Sequence, residues 1–88
     1  METMAIKNWY FTQVRDGKEH PRVILNGDVR TPGGVYQFVQ VPAIALRGCM
    51  VESRGAVYGL VNPDSYFFGK DEGRRVRQEN LMDMIRRD

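Results

Sequence analysis

The sequence predicts an α+β domain: a mostly antiparallel β-sheet of five or six strands arranged as a meander, followed by a C-terminal α-helix. Short runs of β-branched and aromatic residues recur between Gly, Pro and Asp turn signals as far as Val61. Past residue 73 the spacing of apolar residues changes from alternation to the three-and-four rhythm of a helix. At 88 residues and 42% hydrophobic content, the chain holds enough apolar material for one modest core, so residues 1–88 are read as a single domain, with residues 1–4 expected to be disordered.

The first strand is read over Ile6–Val14, IKNWYFTQV, closed by the turn signal Asp16-Gly17. Arg22–Val29 is the second: Val23, Leu25 and Val29 share one face and Arg22, Ile24, Asn26 and Asp28 the other, with a bulge expected near Gly27. Thr31-Pro32-Gly33-Gly34 is a loop, because Pro lacks a ladder donor and Gly loses most backbone entropy on ordering. The third strand, Val35–Val41, stops at Pro42. Between Ala43 and Val61, Gly48 and Arg54-Gly55 separate three short runs, AIALR, CMVES and AVYGLV, which read as a tight meander. A helix over Ala43–Met50 competes with that reading and is weakened by Gly48. Asn62-Pro63-Asp64-Ser65 carries a helix-start pattern, with a short turn ending at Gly69. A second helix is expected over Arg74–Arg87, its apolar stripe formed by Leu81, Met84 and Ile85.

Composition excludes several function classes. Thirteen Lys and Arg against eleven Asp and Glu leave a net charge of +2, too little for sequence-independent nucleic-acid binding. One cysteine, Cys49, and one histidine, His20, rule out a disulfide framework and a Cys/His zinc site within one chain. His20 stands before Pro21 in a polar loop, and Cys49 falls in a predicted strand where a buried structural thiol is expected, so no nucleophile–base pair is evident. The glycines match neither GxxxxGK[ST] nor a strand–GxGxxG–helix order. No catalytic residue, metal or cofactor is therefore expected, and the chain is read as a binding protein and not an enzyme. Met1-Glu2-Thr3-Met4-Ala5 lacks the features of a secretory signal and no apolar run reaches bilayer length, so a cytoplasmic protein without membrane contact is expected.

Arg54, Tyr58, Asn62 and Tyr66, with Arg74 and Arg77 from the final helix, form the candidate ligand-binding group. Arginine forks hold phosphate oxygens and aromatic faces stack bases. In a nucleotide complex Arg54 and Arg74 or Arg77 would meet phosphate while Tyr58 or Tyr66 stacks the base. The competing reading leaves the aromatics in the core and the arginine heads in water. Surplus apolar residues and several strands on a small core also predict a homo-oligomer, built by sheet-edge pairing or through the final helix.

Leu25-x-Gly27-x-Val29, Ala43-Ile44 at the entry to the meander, Ser53-Arg54-Gly55-Ala56-Val57-Tyr58-Gly59-Leu60 and Pro63-Asp64-Ser65-Tyr66 together resemble a group of small β-rich bacterial and phage proteins. That group carries L-x-G-x-V, S-G-x-x-Y-x-L and P-x-x-Y elements, and the resemblance spans roughly residues 23–68. The chain departs from it in placing Arg54 between Ser53 and Gly55, and Pro42-Ala43 where the group prefers Thr-Ser. The architecture is similar to that of phage Thoeris anti-defence sponges. The resemblance implies a non-catalytic phage or mobile-element protein that neutralises a bacterial defence component, either by sequestering a signalling nucleotide or by binding a host defence protein. A protein-interaction module or protein inhibitor without a small-molecule ligand is the alternative.

Overall fold

Ile6, Trp9 and Phe11 do not keep the two-residue alternation of a flat strand, yet all three are fully buried, and a backbone irregularity reconciles them. In the computed structural model, which describes residues 2–15, 22–61 and 72–87, β1 (Glu2–Val14) pairs antiparallel with β2 (Arg22–Arg30). Lys7 lies opposite Asp28 and Tyr10 opposite Asn26, so Asn8 and Trp9 face Gly27 alone. This is a β-bulge with Asn8 in the left-handed region at φ 54°. The bulge thus sits in β1, opposite Gly27 and not in the strand where it was expected. It shifts the phase of β1 by one residue, which puts Ile6 and Phe11 on the same face.

β2 turns through Thr31–Val35 into β3 (Tyr36–Pro42). Thr31 closes the hairpin: its amide and hydroxyl both donate to the Val35 carbonyl, each at 2.8 Å, and Gly34 supplies the positive φ of 83°. β4 (Ala45–Arg47), β5 (Met50–Ser53) and β6 (Ala56–Leu60) form the expected tight meander, turning at Gly48 and Gly55. No helix forms over 43–50. Cys49 lies in the first of these turns and is exposed, in contrast to the buried thiol expected from the sequence. The helix α1 (Glu72–Asp83) ends four residues earlier than expected, and Arg86–Arg87 leaves it as a short strand, β7. The helical turn expected to end at Gly69 lies outside the described residues.

The strand order is β3-β2-β1-β6-β5-β4-β7: four of the six strand pairings are antiparallel, as expected, but two are parallel, so the sheet is mixed and not a simple meander. Two antiparallel groups are joined by a parallel pairing of β1 with β6, in which Glu2, Thr3 and Met4 pair with Ala56, Val57 and Tyr58; a second parallel pair joins β4 to β7. The N-terminal residues 2–4 are thus part of the sheet. Alternation marks a strand but carries no information about which neighbour its edge will meet, so the parallel pairs have no local signature.

Chain connectivity forces this sheet to curl. β3 and β4 stand five steps apart in the strand order, which in a flat sheet would separate them by about 24 Å. Only Ala43 and Ile44 connect them, a span of at most roughly 10 Å. The two groups therefore fold toward each other at this corner, where the Ala43 amide donates to the Val23 carbonyl and the Ile44 amide to the Glu52 carbonyl, both at 2.9 Å. One core fills the fold, built from Ile6, Trp9, Phe11, Leu25, Val51, Tyr58 and their neighbours. Trp9 meets Phe11 edge-on at 5.7 Å, and its indole N–H donates to the Val61 carbonyl.

Within the described part of α1, Gln78, Leu81 and Met82 turn inward, and Ile85 just past it completes the i, i+3, i+4, i+7 spacing. Met82 replaces Met84 in the expected stripe; Met84 is 46% exposed. Gln78 is the polar member of that face. Its Oε1 accepts from the Phe11 amide at 2.6 Å and its Nε2 donates to the Phe11 carbonyl at 3.1 Å. β6 follows β1 only from Glu2 to Ile6, so the Gln78 side chain occupies an edge of β1 that β6 leaves open.

Candidate functional site

Where the sheet folds back on itself, four segments meet. The first residues of β2 supply Arg22 and Val23, and the β3–β4 corner supplies Pro42, Ala43 and Ile44. Arg54 comes from the β5–β6 turn, and Met84, Ile85 and Arg86 from the exit of α1 into β7. Together they line a cleft of about 310 Å³. Its lining is mixed: three arginines from separate segments stand among aliphatic side chains, and among the described residues that line it none is acidic.

The local chemistry places each arginine at the end of an element. Arg22 precedes the buried alternation of β2, where side chains point away from the core. Arg54 takes the exposed position beside Gly55, whose φ of 71° makes the tight turn possible. Arg86 arrives because the chain leaves α1 through two tight turns, the Met84 amide donating to Leu81 and the Ile85 amide to Met82, each at 3.1 Å. Ile85, 4% exposed, anchors that exit in the core. The cleft can take a compact anion: guanidinium groups supply forked donors, and Ile44 and Met84, both partly exposed, supply apolar surface against which a flat ring can lie.

The residues expected to bind ligand are distributed as follows. Arg54 lines this cleft. Arg77 is exposed on α1 and lines a second hollow of about 320 Å³ with Gln13, Asn80, Leu81 and Met84. Met84, which is exposed, lines both hollows, whereas Arg54 lines only the first and Arg77 only the second of the two. Tyr58 is 7% exposed and belongs to the core. It shares the inward face of β6 with Ala56 and Leu60, and the hollow it touches lies by the β2–β3 hairpin, with Val29, Arg30 and Pro32. Arg54 and Tyr58 therefore do not meet in one cleft. Arg74 falls in the first turn of α1, where only the backbone is described, and Asn62, Tyr66 and His20 lie outside the described residues.

Arg22, Arg86, Ile44 and Met84 were not among the residues expected to bind ligand; Met84 was expected in the apolar stripe of the helix and Ile44 at the entry to the meander. Each is unremarkable in its own window, and their convergence exists only once the β3–β4 corner is closed. Comparison with protein-family models, with characterised proteins and with solved structures finds no match for the chain, so the cleft is interpreted from its own residues.

Proposed function

We propose that this chain is a non-catalytic binding protein that holds a small phosphate-bearing ligand in the cleft of Arg22, Arg54 and Arg86. The observation that carries the reading is the meeting of three arginines from separate segments at one cleft, beside the aliphatic side chains of Ile44 and Met84. At about 310 Å³ the cleft lies at the lower end of small-molecule sites, which suits a mononucleotide unit better than a whole dinucleotide. Following the resemblance to phage and mobile-element proteins, the ligand would be a signalling nucleotide of bacterial defence, sequestered without being cleaved. No group of three or more His, Cys, Asp or Glu suited to a metal occurs among the described residues, and the reading invokes none.

Calorimetry with a panel of linear and cyclic nucleotides tests this. One member is expected to bind, with Arg54→Ala weakening it about tenfold through loss of a charge-assisted fork. Arg47→Ala, on the hollow of Met50, Glu52 and Val57, should leave affinity unchanged. Recovery of the ligand intact after heat denaturation distinguishes sequestration from turnover. If no nucleotide binds, the proposal fails and the alternative, an interaction module or protein inhibitor, takes its place. That alternative draws on the exposed Val35, Tyr36 and Phe38 beside and along β3.

A further inference from the structure

The two ends of the sheet differ in how they are protected. At one end β7 is two residues long and both are arginine, a short charged edge of the kind that resists strand addition. At the other end β3 is seven residues long, YQFVQVP, without a charge and without a bulge in its pairing to β2. Tyr36 is 48% and Phe38 53% exposed, and Val35 beside them 68%. Among the described residues no strand lies on the outer side of β3.

The hydrogen-bond phase of that edge is determined. The Ala43 amide donates to Val23 and the Thr31 amide to Val35, so Val35, Gln37, Val39, Val41 and Ala43 direct their amides and carbonyls toward β2. Tyr36, Phe38 and Gln40 direct theirs outward. Pro42, next in this series, has no amide to offer, and it occupies an outward position where none is needed by β2. The outward donors are thus spaced symmetrically about Phe38.

We infer that β3 is a homodimer edge, on which a second copy of this chain adds its own β3 antiparallel about a two-fold axis at Phe38. In this register Tyr36 pairs with Gln40 of the second copy, Phe38 with Phe38, and Gln40 with Tyr36. Every outward amide of the strand finds a carbonyl, and Pro42 stays outside the ladder. Because β3 carries no charge, no like charges meet across the axis. The side chains of Tyr36, Phe38 and Gln40 share the outer face, so the two Phe38 rings become cross-strand neighbours. The strand is already held in place for this: Gln40 Nε2 donates to the buried Asn26 Oδ1 at 2.8 Å, and the Lys7 ammonium lies 3.6 Å from the Tyr36 ring centre. A heterologous match of β3 to the arginine edge β7 would build an open filament, whereas the isologous pair closes on itself. The half-exposed aromatics and the strand edge would bury on the order of 400 Å² per copy, about half of a standard interface. Self-association is accordingly weak and concentration-dependent.

Sedimentation equilibrium of the full chain between about 5 and 300 µM tests it, together with amide hydrogen exchange at both ends of that range. A reversible dimer is expected, with the Tyr36, Phe38 and Gln40 amides protected only at high concentration. Phe38→Asp should raise the dissociation constant at least tenfold. Phe38→Pro should do the same, because it removes an amide that β2 does not use; circular dichroism and unchanged exchange at Leu25 would show that each variant is folded. A monomer throughout the range overturns the inference. So does a dimer that leaves those three amides unprotected, or one that Phe38→Asp and Phe38→Pro leave equally strong, since such a dimer uses another surface.

Discussion

Two buried amides illustrate how single polar residues are used in this fold. Asn26 is fully buried on the outer side of β2, where its Nδ2 lies within hydrogen-bond distance of the Tyr10 carbonyl, the Thr12 hydroxyl and the Ile24 carbonyl while its Oδ1 accepts from Gln40. Gln78 plays the corresponding part between layers, satisfying both backbone groups of Phe11 at an edge of β1 that has no strand beside it. Among the described residues no buried side-chain polar atom lacks a partner. Gln78→Met keeps the length of the side chain and removes both bonds, leaving a buried donor and acceptor unpaired at a cost of about 1–3 kcal/mol. Urea unfolding should show that loss, and the Phe11 amide should exchange faster. An unchanged midpoint with unchanged exchange would mean that the helix docks through Leu81, Met82 and Ile85 alone.

At the scale of elements, the bulge in β1 governs how closely the first two strands approach. Gly27 lies opposite the bulge, and a Cβ built there would stand 2.7 Å from Ile6 Cγ1, 2.8 Å from Ile6 Cδ1 and 3.0 Å from the Lys7 carbonyl oxygen. The strand tolerates a residue without a side chain because Ile6 occupies that space, and Ile6 is fully buried. Gly27→Ala should therefore destabilise by about 1–3 kcal/mol through overpacking. Combining it with Ile6→Ala opens room for the new methyl group, so the double variant should lose less than the sum of the two single losses. Additive losses in thermal or urea unfolding would place the strain at the Lys7 carbonyl and not at the Ile6 side chain.

At the scale of the whole molecule, the C-terminal residues connect parts of the fold that are distant in sequence. Ile85 is 4% exposed in the common core, while Arg86 beside it pairs with Ala45 on β4 and lines the cleft. Ile85→Ala should cost about 2–4 kcal/mol. In a domain of this size that corresponds to a fall in Tm of roughly 10 °C or more. It should also release β7, so exchange at the β4–β7 pair should rise before global unfolding does. Loss of stability without that local increase would show that β7 holds to β4 independently of the core.

The sequence by itself determined the β-rich character, the β4–β5–β6 meander with turns at Gly48 and Gly55, and the presence of a C-terminal helix. Each depends on residues within a few positions of one another: alternation over a strand, a positive φ at a turn, three-and-four spacing along a helix. The bulge was legible only in part: an irregularity was expected near Gly27, whereas its place opposite Gly27, at Asn8 and Trp9 of β1, was decided by the pairing of the two strands. Tertiary structure alone decided that β1 lies parallel to β6, that β7 joins β4, and that the sheet closes at Ala43-Ile44. Every strand edge offers the same backbone donors and acceptors, so partner choice follows from long-range closure and not from local residues. The candidate site divides in the same way. Arg54 was legible as an exposed cation beside a turn glycine, whereas the inward position of Tyr58 and the arrival of Arg22 and Arg86 beside Arg54 depend on how the curled sheet brings segments from both ends of the chain to one corner.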